Sequence, residues 1–174
     1  MKQVLIVVDM QNDFVDGALG TSEAVAIVDN VVKTIEDFDG EVIATLDTHF
    51  DNYMDTSEGK KLPVPHCIKG TDGWRINEKV LAALEKKNYR AVEKPTFGST
   101  DLVDIIREMT KEDELELMLL GLCTDICVVS NALLLKANFP EMKIGVVAGC
   151  SAGVTPESHD AALLTMKMCQ IDIL

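Results

Sequence analysis

Gly121-Leu122-Cys123-Thr124-Asp125-Ile126-Cys127-Val128-Val129 follows the apolar run 115–120, broken only by Glu116, and leads into 128–137, which reads as a helix. A buried strand that passes through a glycine turn into a helix places a side chain at the helix N-terminus. Unpaired backbone N–H groups and the helix dipole favour negative charge there. A cysteine so placed can be held as thiolate, the nucleophilic form, which makes Cys127 the candidate nucleophile. The competing reading is a small core hydrophobe, the common fate of a free cysteine beside an apolar helix.

The rest of the chain sets the frame for that choice. With 174 residues it is long enough for one sizeable core and short for two, so a single domain over 1–174 is expected. Sixteen Lys and Arg against 29 Asp and Glu leave a net charge of −13, which repels nucleic acid and anionic membrane and argues against either as partner. Apolar runs fall short of the length of a spanning helix. The N-terminal Met-Lys-Gln-Val-Leu-Ile-Val-Val-Asp lacks a small-residue cleavage site and reads as a first strand rather than a signal. Five cysteines, at 67, 123, 127, 150 and 169, have no scaffold spacing and fit free thiols in a reducing, cytoplasmic setting.

Residues 3–8 form a continuous β-branched run, as expected of a strand covered on both faces, and Asp9 closes it. Residues 21–38 carry apolar side chains three and four apart, an amphipathic helix that Thr21 or Ser22 can cap. Residues 41–46 read as the second strand, ending at Asp47-Thr48-His49. The span 50–72 holds Gly59, Pro63, Pro65 and Gly70 and is too long for an idle connection. Further helices are expected over 76–84, 102–109 and 156–169, and further strands over 89–93, 115–120, 143–148 and 170–174. Strand and helix alternate, which predicts an α/β structure with a mostly parallel sheet.

In such sheets ligands sit beyond the carboxyl ends of the strands. That rule gathers Asp9, Asp47, His49, Lys94 and Cys127 at one edge. A carboxylate beside the sulfur can take the thiol proton and later return it to an amine leaving group, while a lysine holds the carboxylate and favours the thiolate. An ordinary ion pair between Asp9 and Lys94 is the alternative. Asp47 and His49 point the same way because alternate strand residues share a face. His66 in the long loop completes a carboxylate and two imidazoles that suit zinc, iron or manganese. Idle loop histidines are the alternative there. Phe14 and Trp74 are candidate walls for a flat substrate, or else packing residues. His159 reads as structural.

Val8-Asp9-Met10-Gln11-Asn12-Asp13-Phe14, Asp47-Thr48-His49, Pro65-His66-Cys67, Lys94, the segment 121–128 and Gly153-Val154-Thr155-Pro156-Glu157-Ser158-His159 together resemble the isochorismatase-like cysteine hydrolases, among them the nicotinamidases (pyrazinamidases). The resemblance implies a three-layer α/β/α fold with a six-stranded parallel sheet and an Asp9–Lys94–Cys127 triad. It also implies a divalent metal on Asp47, His49 and His66 that would bind the pyridine nitrogen of nicotinamide. A cis peptide would fall at Leu122–Cys123, and the backbone N–H groups of Cys123 and Cys127 would form an oxyanion hole. The implied reaction turns nicotinamide into nicotinate and ammonia through a thioester, in a homo-oligomer. Two features depart from the pattern. Leu62 and Val64 precede Pro65-His66 where the family usually has a tryptophan, a role Trp74 could take over, and the segment after Lys94 is short. A hydrolase of another small amide or ureido compound and a non-catalytic oligomeric binding protein of the same fold stay open as readings.

Overall fold

A computed structural model describes residues 1–174. Six parallel strands form one sheet: β1 (Lys2–Val8), β2 (Glu41–Asp47), β3 (Arg90–Lys94), β4 (Leu115–Leu122), β5 (Lys143–Ala152) and β6 (Asp172–Ile173), in the spatial order β3-β2-β1-β4-β5-β6. The helices are α1 (Asn12–Val15), α2 (Ser22–Asp37), α3 (Ser57–Lys61), α4 (Glu78–Glu85), α5 (Thr100–Met109), α6 (Val129–Asn138) and α7 (Pro156–Met168). No helix is long and apolar enough to cross a membrane.

Two cores explain why β1 reads as an unbroken apolar run. Leu5 and Val7 face one layer, packing with Val31 and Ile35 of α2 and Val80 and Leu84 of α4. Val4, Ile6 and Val8 face the other, with Leu102 and Ile106 of α5, Ala132 and Leu135 of α6 and Met166 of α7. Each side chain from Val4 to Val8 is removed from water on one face or the other, and burial of this kind supplies most of the driving force for folding. The helix starts are marked by side chains. Thr21 Oγ1 accepts from Ala24 N at 3.0 Å, Ser99 Oγ from Leu102 N at 3.1 Å and Thr155 Oγ1 from Ser158 N at 3.1 Å, with Pro156 in the first turn of α7.

The strand order reverses between β1 and β4, so their carboxyl ends flank the crevice where α/β sheets bind ligands. Gly121 allows that crevice to form. It pairs with Val8, its φ is 121°, and a Cβ there would run into the Val8 carbonyl oxygen. Only glycine meets both conditions.

Three segments differ from the sequence expectations. The span 50–72 carries a 3-10 turn, Tyr53–Asp55, and the short α3, because Tyr53 is buried and Thr56 caps the helix by accepting from Gly59 N at 3.0 Å. Strand β5 runs past 148 to Ala152 through a bulge, since its register with β4 jumps between Leu119 and Gly121. A π-helical turn, Thr124–Val128, precedes α6, with Ile126 N and Val128 N both donating to the Cys123 carbonyl at 3.1 and 3.0 Å. Cys127 therefore sits inside a wide turn rather than at the start of a regular α-helix.

Candidate active site and metal centre

Sheet register delivers the side chains. Val8 pairs with Thr45 on one side and Gly121 on the other, and Asp47 pairs with Lys94, so Lys94, Asp47, Asp9 and the Cys127 turn come from four adjacent strands in that spatial order. Asp9 leaves β1 with φ at 46°, a left-handed conformation that aspartate tolerates better than most residues. Its backbone N–H donates to the Thr45 carbonyl at 3.2 Å.

Lys94 Nζ lies 2.6 Å from Asp9 Oδ2, 3.3 Å from Cys127 Sγ and 3.5 Å from Asp47 Oδ1, and it donates to the Thr96 carbonyl at 3.1 Å. The three residues singled out as a triad are thus one buried cluster. The contact to Asp9 Oδ2 is one of charge rather than of hydrogen-bond geometry, which leaves that oxygen without a formed hydrogen bond. The other oxygen, Oδ1, accepts from Thr45 Oγ1 at 2.7 Å.

Burial decides the protonation states. It pushes the Asp9 carboxyl up, against the Lys94 charge that lowers it. It pushes the Cys127 thiol well above its ordinary value, and the nearby Asp9 carboxylate adds to this more than Lys94 subtracts. Burial also works against the Lys94 ammonium, yet Asp9, Cys127 and Asp47 outweigh it and hold that group charged. Burial and the Asp9 carboxylate both work against the thiolate at Cys127, while the Lys94 ammonium works for it. A base is needed, and Asp9 is the carboxylate in contact. Cys123, pushed up to about 12 by burial and Asp125, is a neutral thiol.

The second cluster is centred on Asp47. Its Oδ2 lies 3.0 Å from His49 Nε2 and 3.5 Å from His66 Nε2. All three residues are buried and offer their ligand atoms within 4.8 Å of one another. Gln11 fixes the Asp47 backbone, donating to its carbonyl at 2.8 Å and accepting from its N–H at 2.7 Å. His66 Nδ1 faces the Val64 carbonyl at 2.8 Å, which turns Nε2 toward Asp47, and Cys67 N donates to Asp13 Oδ2 at 2.8 Å to anchor the loop. Burial raises the Asp47 carboxyl, but His49, His66 and Lys94 more than reverse this and hold it well below the usual carboxylate range. A low-lying carboxylate and two imidazole nitrogens converging on one point fit a divalent metal.

Sequence reasoning missed several members. Glu58 Oε1 lies 3.7 Å from His49 Nε2 and 3.6 Å from His66 Nε2, a second carboxylate beside the two imidazoles. Its only sequence signal was its place in a loop judged too long to be idle. Thr45 was the one polar residue inside the apolar run of β2, two before Asp47 and so on the same face.

Both clusters open into a cavity of about 670 Å³ whose lining includes Phe14, Leu62, Phe97, Cys123 and Ile126. Phe14 stands where it was expected, tilted against His66 with ring centroids 5.4 Å apart. Trp74 does not. Its Nε1 donates to Thr48 Oγ1 at 2.9 Å, which turns the indole to a separate surface groove, and Leu62 and Phe97 border the cavity instead. The Leu122–Cys123 peptide is cis, and the Cys123 N–H has no protein acceptor. His159, expected to be structural, bonds through Nδ1 to the buried Thr124 Oγ1 at 2.8 Å and ties α7 to the nucleophile turn.

The profile of the isochorismatase domain matches residues 3–174. An uncharacterized isochorismatase family protein, PncA, of Bacillus subtilis is 32% identical over 94% of this chain and 93% of its own length. Among solved structures, nicotinamidase/pyrazinamidase PncA from Bacillus subtilis superposes with a TM-score of 0.86 at 29% identity over 99% of both chains. A pyrazinamidase of Pyrococcus horikoshii in complex with zinc superposes with a TM-score of 0.79 at 25% identity, over 100% of this chain and 99% of that one.

Proposed function

The chain belongs to the isochorismatase family, and from that premise we propose that it is a metal-dependent cysteine amidase converting nicotinamide to nicotinate and ammonia. The observation that carries the reading is the Lys94 ammonium in contact with both Asp9 Oδ2 at 2.6 Å and Cys127 Sγ at 3.3 Å. Solved nicotinamidases and pyrazinamidases of the same fold support the substrate class.

Asp9 takes the thiol proton of Cys127 as the sulfur attacks the carboxamide carbon. Its raised carboxyl brings the proton affinities of base and acid closer to the working pH. The charge developing on the amide oxygen is met by the N–H groups of Cys123 and Cys127. Asp9 then returns the proton to the departing ammonia, leaving a thioester on Cys127. In the second half Asp9 takes a proton from water as the resulting hydroxide attacks the thioester, the expelled Cys127 sulfur takes that proton back from Asp9, and the acid leaves as nicotinate with release of its own proton to solvent. Lys94 keeps its charge throughout and holds Asp9 in place. Asp47, His49 and His66, with Glu58 as a fourth ligand, would hold a divalent ion, zinc being the favoured choice for this donor set and iron or manganese the alternatives. Bound there, such an ion would supply a Lewis acid for the pyridine nitrogen of the substrate.

The test is ammonia release from nicotinamide by zinc-loaded protein. Turnover lost on chelation, restored by metal and abolished in Cys127→Ala is expected. No ammonia from the loaded protein refutes the substrate, and activity surviving Cys127→Ala refutes the mechanism. A second reading, another small amide or ureido substrate, is favoured by the exposed Leu62 and Phe97 at the cavity, which leave the ring less enclosed than Trp74 would.

A further inference from the structure

Asn131 lies four residues beyond Cys127, on α6, and its side chain is fully buried. An amide in that position is unexpected on packing grounds. Asparagine is a weak helix former, and a buried amide costs stability unless its hydrogen bonds are made. Here all of its groups are used. Oδ1 accepts from Ser99 N at 2.9 Å, while Nδ2 donates to the Phe97 carbonyl at 3.0 Å and to the Cys127 carbonyl at 2.8 Å. The opposite orientation of the amide would set its oxygen against two carbonyls and its NH2 against an N–H.

The partners belong to two different parts of the site. Phe97 and Ser99 lie in the segment joining β3 to α5, which begins directly after Lys94. In the same segment the Thr96 carbonyl accepts from Lys94 Nζ at 3.1 Å, and Pro95, Thr96 and Phe97 line the cavity. Cys127 carries the sulfur. A single side chain therefore bonds the backbone of the segment that holds the ammonium to the backbone of the residue that holds the thiol.

We propose that Asn131 is a positioning residue: it locks segment 95–99 against the Cys127 turn, and so sets the approach of Lys94 Nζ to Cys127 Sγ and the wall of the cavity. Only the kinetic part of its test rests on the amidase reading. Asn131→Asp keeps the size and the acceptor for Ser99 but turns an oxygen toward two carbonyls. Asn131→Ser removes the span to Phe97 while leaving room for water.

Both variants are made in a Cys169→Ser background, because Cys169 is an exposed thiol at the C-terminal end of α7 and does not line the cavity. Folding is checked by circular dichroism and thermal melting. Turnover of nicotinamide and the rate at which iodoacetamide alkylates Cys127 at neutral pH, mapped by mass spectrometry, are then measured. A displacement of reacting groups by about 1 Å costs on the order of a hundredfold, so kcat is expected to fall by about that factor in Asn131→Asp with a smaller change in KM. Alkylation of Cys127 is expected to slow by about tenfold, since less thiolate forms once Lys94 is no longer held beside it. Folded variants with wild-type kcat and wild-type alkylation rates overturn the proposal. So does failure of both variants to fold, which would make Asn131 a residue of the fold alone. If the parent protein releases no ammonia from nicotinamide yet both variants slow alkylation, the amidase reading fails and the positioning role stands.

Discussion

Replacing Thr45 by valine removes one hydroxyl, with the hydrogen bonds it makes to Asp9, and almost nothing else. The two side chains have nearly the same shape, both suit a β-strand, and the Asp9 N–H keeps the Thr45 carbonyl as acceptor at 3.2 Å. What is lost is the 2.7 Å bond from Thr45 Oγ1 to Asp9 Oδ1 and the longer one, 3.3 Å, that Oγ1 accepts from the Asp9 N–H, with Asp9 fully buried and Thr45 1% exposed. A hydrogen bond to a charged group contributes about 1.5–3 kcal/mol. For a chain of this size that corresponds to a melting temperature lower by about 3–12 °C. The loss falls on the charged form of Asp9, whose carboxyl burial already pushes above its ordinary value. The sign follows. The deficit is full at pH values where the folded variant keeps Asp9 ionised, and it shrinks as acid protonates that group, because a neutral carboxyl needs the donor less. The acid limb of kcat/KM moves to higher pH for the same reason, since Asp9 must be a carboxylate to accept the thiol proton. Melting curves and pH profiles of the variant and the parent test both expectations. A deficit that is the same at every pH, together with an unmoved acid limb, refutes Asp9 as the proton acceptor.

Gly121→Ala forces a left-handed φ on alanine and drives a methyl group into the Val8 carbonyl; strain and overpacking of about 1–3 kcal/mol each lower the melting temperature by roughly 10 °C or abolish soluble expression. Glu58→Gln keeps the fold but weakens zinc binding by about ten- to a hundredfold, the usual cost of losing a partner of a metal site, as read by competition with a chromogenic chelator. Phe97→Ala raises KM for nicotinamide, whereas Trp74→Phe leaves KM unchanged because its ring faces another groove; a KM that responds to Trp74 instead would refute the cavity assignment.

The fold was legible where chemistry and periodicity agree. A β-branched run ending in Asp9, a strand ending in Asp47-Thr48-His49 and a glycine before the Cys127 turn each mark a carboxyl end, and the sheet brings them together. Contacts made through irregular backbone were not legible. Trp74 is close in sequence to the long loop, yet its N–H finds Thr48 and the ring turns away. Glu58 reaches the histidines only because Tyr53 is buried and Thr56 starts a helix. Asn131 looks like an ordinary polar residue of a helix until segment 95–99 folds over it. The ionisation of Cys127 could not be read from position either, because it depends on how completely water is excluded.

Strand β3 is the outermost strand of the sheet on its side and pairs with β2 alone. The cation of the triad therefore rides on a strand held by ladder bonds on one side only. Local opening of a sheet margin requires far less free energy than global unfolding. Fraying of Arg90–Lys94 would withdraw the ammonium while Asp9 and Cys127 stayed in the interior of the sheet, so heat or mild denaturant would silence turnover before the bulk of the structure melted. Amide exchange in β3 that keeps pace with the loss of activity, ahead of exchange in β1 and β4, is the signature of that early disarming.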